Sequence, residues 1–135
     1  MAIQIKRGAE TAGVNVVLKK VEECTLDDLS GADGIAIGSP THYSNMAWQI
    51  KRLLDETILA FYTMGHSLRN KACGCFTSTG ANNDGKECLR MLEIAFGNAL
   101  KMKIISGIIL ESKEVDAGNL IVCFEFGQKM ARELI

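Results

Sequence analysis

Apolar and polar positions along the chain switch between two periods. Residues 2–12 are rich in helix formers and stop at Gly13, a residue suited to a carboxyl-terminal cap, after which Val14, Val16, Val17 and Leu18 form a β-branched run. The order reads as helix, then strand. Gly34-Ile35-Ala36-Ile37-Gly38 is too short for a helix and apolar on both faces, the pattern of a central parallel strand. From about residue 45 to 61, Met46, Ile50, Leu53, Leu54, Thr57, Ile58 and Phe61 recur on one face, while Gln49, Lys51, Arg52, Asp55 and Glu56 mostly occupy the other. That spacing predicts a helix. Lys71 to Thr77 forms the next strand, and Asp84 with Glu87 three residues later has the spacing of a capping box at a helix start. Cys88, Met91, Leu92, Ala95, Phe96 and Ala99 make the buried stripe of that helix. A strand over Lys103 to Leu110 and a last helix over Asn119 to Leu134 complete the chain.

Strands alternating with helices predict an α/β fold, a doubly wound parallel sheet covered on both faces, with ligands received at the carboxyl ends of the strands. A length of 135 residues leaves room for one domain, residues 1–135, and 47% hydrophobic residues are enough to build a core. The net charge of -1, with no block of like charges, argues against nucleic acid as a partner. The longest apolar runs are too short to cross a membrane and the start has no signal-peptide pattern, so a cytoplasmic protein is expected. Five scattered cysteines argue against a disulfide framework. Cys73 and Cys75, two apart on a strand, face the same side and read as core thiols, because no CxxC motif or histidine cluster supplies further metal ligands.

Two segments leave strand ends and enter helices: Ser39 to Met46, and Thr77 to Gly85. Both are dense in hydroxyls, amides and backbone N–H groups that can orient a flat heterocycle, and Tyr43 offers a ring face for stacking. They are equally readable as capping turns, since Ser44, Asn45 and Asp84 are good helix caps. His66 follows the long helix in Met64-Gly65-His66-Ser67 and reads as solvated or as approaching a substrate pocket. Trp48 reads as a core or partner-facing aromatic.

The stretch ADGIAIGSPTHYSNMAWQIKRLLDET, followed some fifteen residues later by KACGCFTSTGANNDGKE, resembles the flavodoxin-like flavin mononucleotide (FMN) proteins, and within them the NAD(P)H:quinone oxidoreductase branch. The likeness runs over most of residues 2–135. It implies a flavodoxin-like three-layer α/β/α sandwich. It also implies that Pro40, Thr41, His42, Tyr43, Asn45 and Met46 in the first loop, and Ser78, Thr79, Gly80, Ala81, Asn82 and Asn83 in the second, surround the flavin ring. FMN is the implied cofactor and NAD(P)H the implied electron donor. Quinone reduction or electron carriage is the implied activity, with a small molecule or a protein as redox partner; no catalytic residue is assigned.

The family begins with a hydrophobic first strand and a hydroxyl-rich phosphate loop. Met1-Ala2-Ile3-Gln4-Ile5 instead resembles the helix that follows that loop, so the chain reads as amino-terminally truncated relative to the family. The place of that strand is expected to be filled by the Val14 strand pairing with the Ile35 strand, by a segment of a second subunit, or by sequence further upstream. The last helix carries an inner stripe, Leu120, Phe124, Gly127, Ala131 and Leu134, and a second apolar row, Val122, Phe126 and Met130. That second row suggests a homo-oligomer with the 119–135 helix as its interface, or a helix sunk deeper into its own domain. A rival to the redox reading is a flavodoxin-like scaffold that no longer binds FMN and acts as an interaction or structural domain.

Overall fold

In a computed structural model, which describes residues 1–111 and 116–135, the chain forms a sheet of order β2-β1-β3-β4 between two helical layers. Three strands are parallel: β1 (Gly34–His42), β3 (Ala72–Thr79) and β4 (Lys103–Glu111). The fourth, β2 (Asn45–Met46), folds back on β1 as a hairpin, pairing Thr41 with Met46 and His42 with Asn45. The expected α/β fold with a parallel sheet is therefore observed. Its central strands are apolar on both sides because both sides are covered.

Alternation along β3 sorts the two cores. Cys73 and Cys75 point into the larger one, with Ile37, Ile50, Leu53, Ile58, Phe61, Leu92 and Phe96. This layer holds α2 (Leu26–Gly31) and the long helical run in which α3 (Trp48–Arg52) passes through a π-helical stretch, Leu53–Ile58, into α4 (Leu59–Thr63). It also holds α5 (Asn82–Glu93), which ends in a second π-helical stretch, Ile94–Ala99. Gly74 and Phe76 lie on the opposite side, under α1 (Ala2–Thr11) and α6 (Ala117–Arg132).

The contact between α1 and α6 depends on two glycines. A Cβ at Gly8 would overlap the carbonyl oxygen of Phe124, and one at Gly127 would overlap that of Ile5. The helices touch backbone to backbone, so α6 buries side chains in two directions at once. Cys123, Phe126 and Met130 pack toward the sheet while the Gly127 side lies on α1. For Phe126 and Met130 this is the second of the two readings of that row, a helix sunk deeper into its own domain. Phe126 and Met130 are buried within the chain at 3% and 5% exposure, not displayed at a subunit contact, whereas Val122 is 41% exposed. Leu134, placed on the inner stripe, is 38% exposed.

The expected strand at Val14 to Leu18 does not form. The segment has no ladder partner among the described residues, Val17 and Leu18 are exposed, and it does not pair with β1. A β-branched run has strand character only beside a neighbour that takes up its N–H and C=O groups.

Instead of continuing onto the sheet, the chain is tied to α2. Lys19 Nζ donates to Asp28 Oδ2 at 2.8 Å, and Thr25 and Asp28 form a reciprocal capping box at the start of that helix. At its other end Lys71 Nζ donates to the carbonyls of Leu29, Ser30 and Ala32, closing the helix over the start of β3. The Lys19 hydrogen bond, followed by those from the Thr25 backbone and hydroxyl, holds Asp28 down to about 2. A carboxylate depressed in the folded state contributes stability above its unfolded value near 4 that is lost as pH falls toward 2. Asp28→Asn is therefore expected to melt below wild type at pH 6 and to converge with it near pH 2, read by thermal unfolding across that range.

Candidate functional site

The carboxyl ends of β1 and β3 lie side by side in register, Ser39 opposite Thr77 and Pro40 opposite Ser78. Each strand continues into one of the two segments singled out in the sequence. The first is the β1–β2 hairpin. Its two-residue loop is Tyr43 and Ser44, with φ of 50° and 62°, the double left-handed pattern of a type I′ turn. Asn and Gly suit such positions, so a tyrosine and a serine there cost on the order of 1 kcal/mol each. The turn holds the Tyr43 side chain wholly in solvent.

The second segment rises from Thr79 into α5. Thr79 Oγ1 donates to the Ala81 carbonyl at 2.6 Å and accepts from the Ala81 N–H at 3.1 Å, bending the chain so that the helix starts at Asn82. Gly80, Ala81, Asn82 and Asn83 are exposed on this bend. Gly85, one turn on, is buried where a Cβ would press on the Thr79 and Ile109 side chains, which lets the helix sit close to the strand ends.

Beneath both loops lies a polar core that joins Thr41 to Ser39 and Thr77, two residues not assigned to the site from the sequence. Thr77, fully buried, donates its one hydroxyl proton to the Ser39 carbonyl at 2.7 Å. Its contact with Thr41 Oγ1 at 2.8 Å must then be accepted from Thr41. Ser39 Oγ donates to the Pro40 carbonyl and accepts from the Ala47 N–H, fixing the chain on the far side of the hairpin. Cys88 Sγ sits 3.5 Å from the Thr77 hydroxyl. Buried hydroxyls at the ends of otherwise apolar strands are the signal that could have identified Ser39 and Thr77.

Above that core the two loops touch. Ser44 Oγ donates to Asp84 Oδ1 at 2.6 Å, joining the hairpin tip to the first turn of α5. This corrects two expectations about caps. Asp84 is not the cap of α5, which starts after Ala81 with no side-chain cap, and neither Ser44 nor Asn45 caps the helix after the hairpin, whose flanking residue is Ala47. The expected helix from about 45 also begins later, at Trp48, because Asn45 and Met46 are taken by β2.

All twelve residues expected at the site lie on these two loops or the strand ends beneath them. Pro40, His42, Tyr43, Asn45, Gly80, Ala81, Asn82 and Asn83 are exposed, Thr41, Met46 and Ser78 are half-buried, and Thr79 is buried. His66 is elsewhere: its ring stacks on Phe61 at 5.0 Å between centroids. Trp48 is 63% exposed. Cys75 is held well above the ordinary thiol range by the hydrogen bond with Cys73 and by burial, and both are free cysteines buried in the core. Among the described residues no cluster of His, Cys, Asp or Glu could hold a metal, and no helix is long and apolar enough to cross a membrane.

Next to the loops, on the α1 and α6 side, is a cavity of about 410 Å³. Pro40, Ser78 and Met1 are among the residues that line it, and Phe76, Leu110, Leu120 and Cys123 form its apolar wall.

Comparison with known proteins matches residues 9–115 to the family model described as NADPH-dependent FMN reductase. A flavodoxin of Aquifex aeolicus is 34% identical over 95 residues, covering 68% of this chain and 50% of that protein. NAD(P)H dehydrogenase (quinone) 3 of Rhizobium meliloti is 34% identical over 107 residues, covering 64% of this chain and 50% of the other. The chain thus spans about half the length of the curated relatives it matches. Among solved structures, an archaeal flavodoxin superposes over 98% of this chain and 86% of its own with a TM-score of 0.80 at 24% identity. A WrbA-like flavodoxin of Agrobacterium tumefaciens does so over 98% and 85% with a TM-score of 0.77 at 20% identity. At those identities the superpositions speak to the fold.

Proposed function

The chain belongs to the NADPH-dependent FMN reductase family, and from that premise we propose that it is an FMN-binding redox protein whose flavin ring is held between the Pro40–Met46 and Ser78–Asn83 segments. The observation that carries this reading is the joining of two donor-rich loops at the carboxyl ends of neighbouring parallel strands, the place where an open α/β sheet receives its ligand.

The chemistry of the donor set fits the ring. Asn45, Asn82 and Asn83 offer neutral amides, Gly80 exposes backbone, and Tyr43 presents an unencumbered aromatic face. Neutral donors suit a heterocycle rimmed by carbonyl oxygens and ring nitrogens, and Thr41 and Thr77 keep the two segments at a set separation. The cavity beside Pro40 and Ser78 offers room next to the ring site for the rest of such a ligand. When bound, FMN supplies the hydride or electron transfer itself. The residues of the chain then bind and orient the ring and shield one face. NAD(P)H as donor and a quinone as acceptor follow the relatives and complete the proposal. Work as a homo-oligomer in the cytoplasm belongs to the same reading.

Titration of the purified chain with FMN, followed by flavin fluorescence, tests it. The expected result is saturable quenching. Tyr43→Ala is expected to weaken binding by roughly three- to tenfold, the worth of one aromatic stacking contact, while leaving the unfolding midpoint unchanged because that side chain is fully exposed. Unaltered affinity removes Tyr43 from the site, and absence of quenching by the folded chain overturns the flavin reading in favour of a scaffold that has lost it.

A further inference from the structure

The hydrogen bond between Ser44 and Asp84 has no counterpart elsewhere in the account of the site. It spans forty positions in sequence, it is short, its acceptor carries a charge, and it joins the two loops at the surface, above the buried bonds that Thr77 makes with Thr41 and with the Ser39 carbonyl. Its donor is one of two consecutive left-handed residues. A hairpin tip with two non-glycine residues at positive φ tends to relax unless something holds it. Relaxation of this tip would swing Tyr43 away from the mouth between the loops. Asp84 is meanwhile released from the capping duty that its sequence position suggests, since α5 starts without a side-chain cap and the carboxylate turns to the hairpin instead.

We propose that Ser44 and Asp84 are a positioning pair: their hydrogen bond latches the strained hairpin tip to the first turn of α5 and so sets the width of the slot, and the placement of Tyr43, for the flavin ring. This rests on the reading of the site given above. Ser44 acts through the turn it holds, and Asp84 acts as the anchor on α5. The alternative role for Asp84, an electrostatic effect of its charge on the ring, has a different signature. A latch needs an acceptor oxygen at residue 84 and the Ser44 hydroxyl, whereas a field needs the charge and is indifferent to Ser44.

The test is a double-mutant cycle on the full chain with FMN as the probe. Ser44→Ala and Asp84→Ala are each expected to weaken FMN binding about fivefold, the ordinary worth of one hydrogen bond. The double variant is expected to lose no more than either one, because both remove the same contact. Asp84→Asn keeps an acceptor oxygen and should bind within about twofold of wild type. The urea midpoint should fall only slightly, and equally in Ser44→Ala, Asp84→Ala and the double variant, because one surface contact is lost in each. In the flavin-free chain, amides of residues 43–46 should exchange faster with deuterium in Ser44→Ala than in wild type.

Additive losses, an Asp84→Asn variant as weak as Asp84→Ala, or unchanged exchange at 43–46 would each overturn the latch while leaving flavin binding intact. A wild-type chain that quenches no FMN fluorescence would instead overturn the flavin reading, and the positioning role with it.

Discussion

Gly127→Ala is expected to lower the stability of the chain by roughly 2 to 3 kcal/mol, the upper part of the range for forcing extra atoms into a packed contact. A new Cβ at that position would run into the backbone of α1 at Ile5 and Ala9, where no side-chain rotation can make room. The helices would have to separate along their whole crossing. Separation would lift Phe126 and Met130 off the sheet, where they fill the space left by Gly74. Gly8→Ala meets the same obstacle from the other helix, at the Phe124 carbonyl, so the two substitutions should cost less together than the sum of their separate effects. Urea unfolding checks this, with Gly31→Ala as the comparison because nothing lies within 4 Å of the Cβ it adds. A Gly127→Ala midpoint equal to that of wild type would mean that α1 is not seated on α6 as described.

Thr77→Val has the second largest expected effect, and it acts on stability and site together. Valine has nearly the volume of threonine but supplies neither a donor for the Ser39 carbonyl nor an acceptor for the Thr41 hydroxyl. Leaving buried polar groups unpaired costs about 1 to 3 kcal/mol. Thr41 and Ser39 begin the hairpin that carries Tyr43, so the first loop loses its footing against the second. FMN affinity is expected to fall by about tenfold, in line with a loss near 1.4 kcal/mol in ligand placement. Thr77→Ser keeps the hydroxyl and should recover most of the affinity while losing a methyl group. Full affinity in Thr77→Val would show that the loops are held by their surface contacts alone.

Much of the fold was legible because parallel strands covered on both faces leave short, predominantly apolar segments, as at residues 34–38 and 104–110. Val14 to Leu18 has the same composition but no ladder, because pairing is a property of neighbours and not of the segment alone. The six-residue helix α2 is too short and too polar to show a helical stripe, although Thr25 and Asp28 stand at capping-box spacing. On α6 the two apolar rows were visible but their destinations were not. The close approach of Gly8 to the Phe124 backbone and of Gly127 to the Ile5 backbone shows that α1 lies along one side.

The candidate site was legible as two loops through their hydroxyls, amides and resemblance. What joins them was hidden in long-range pairs. Ser39 with Thr77 depends on strand register, and Ser44 with Asp84 depends on how a hairpin folds over a helix start. Asp84 in particular carried a local explanation as a cap that its tertiary partner overrode.

The measurement that bears most directly on the central claim is an amide chemical-shift map of the isotopically labelled chain during titration with FMN. Progressive shifts are expected at residues 40–46 and 77–84, with smaller ones along the cavity rim and none around His66 or α2. Shifts centred elsewhere, or a folded chain whose spectrum is indifferent to FMN, would contradict that claim.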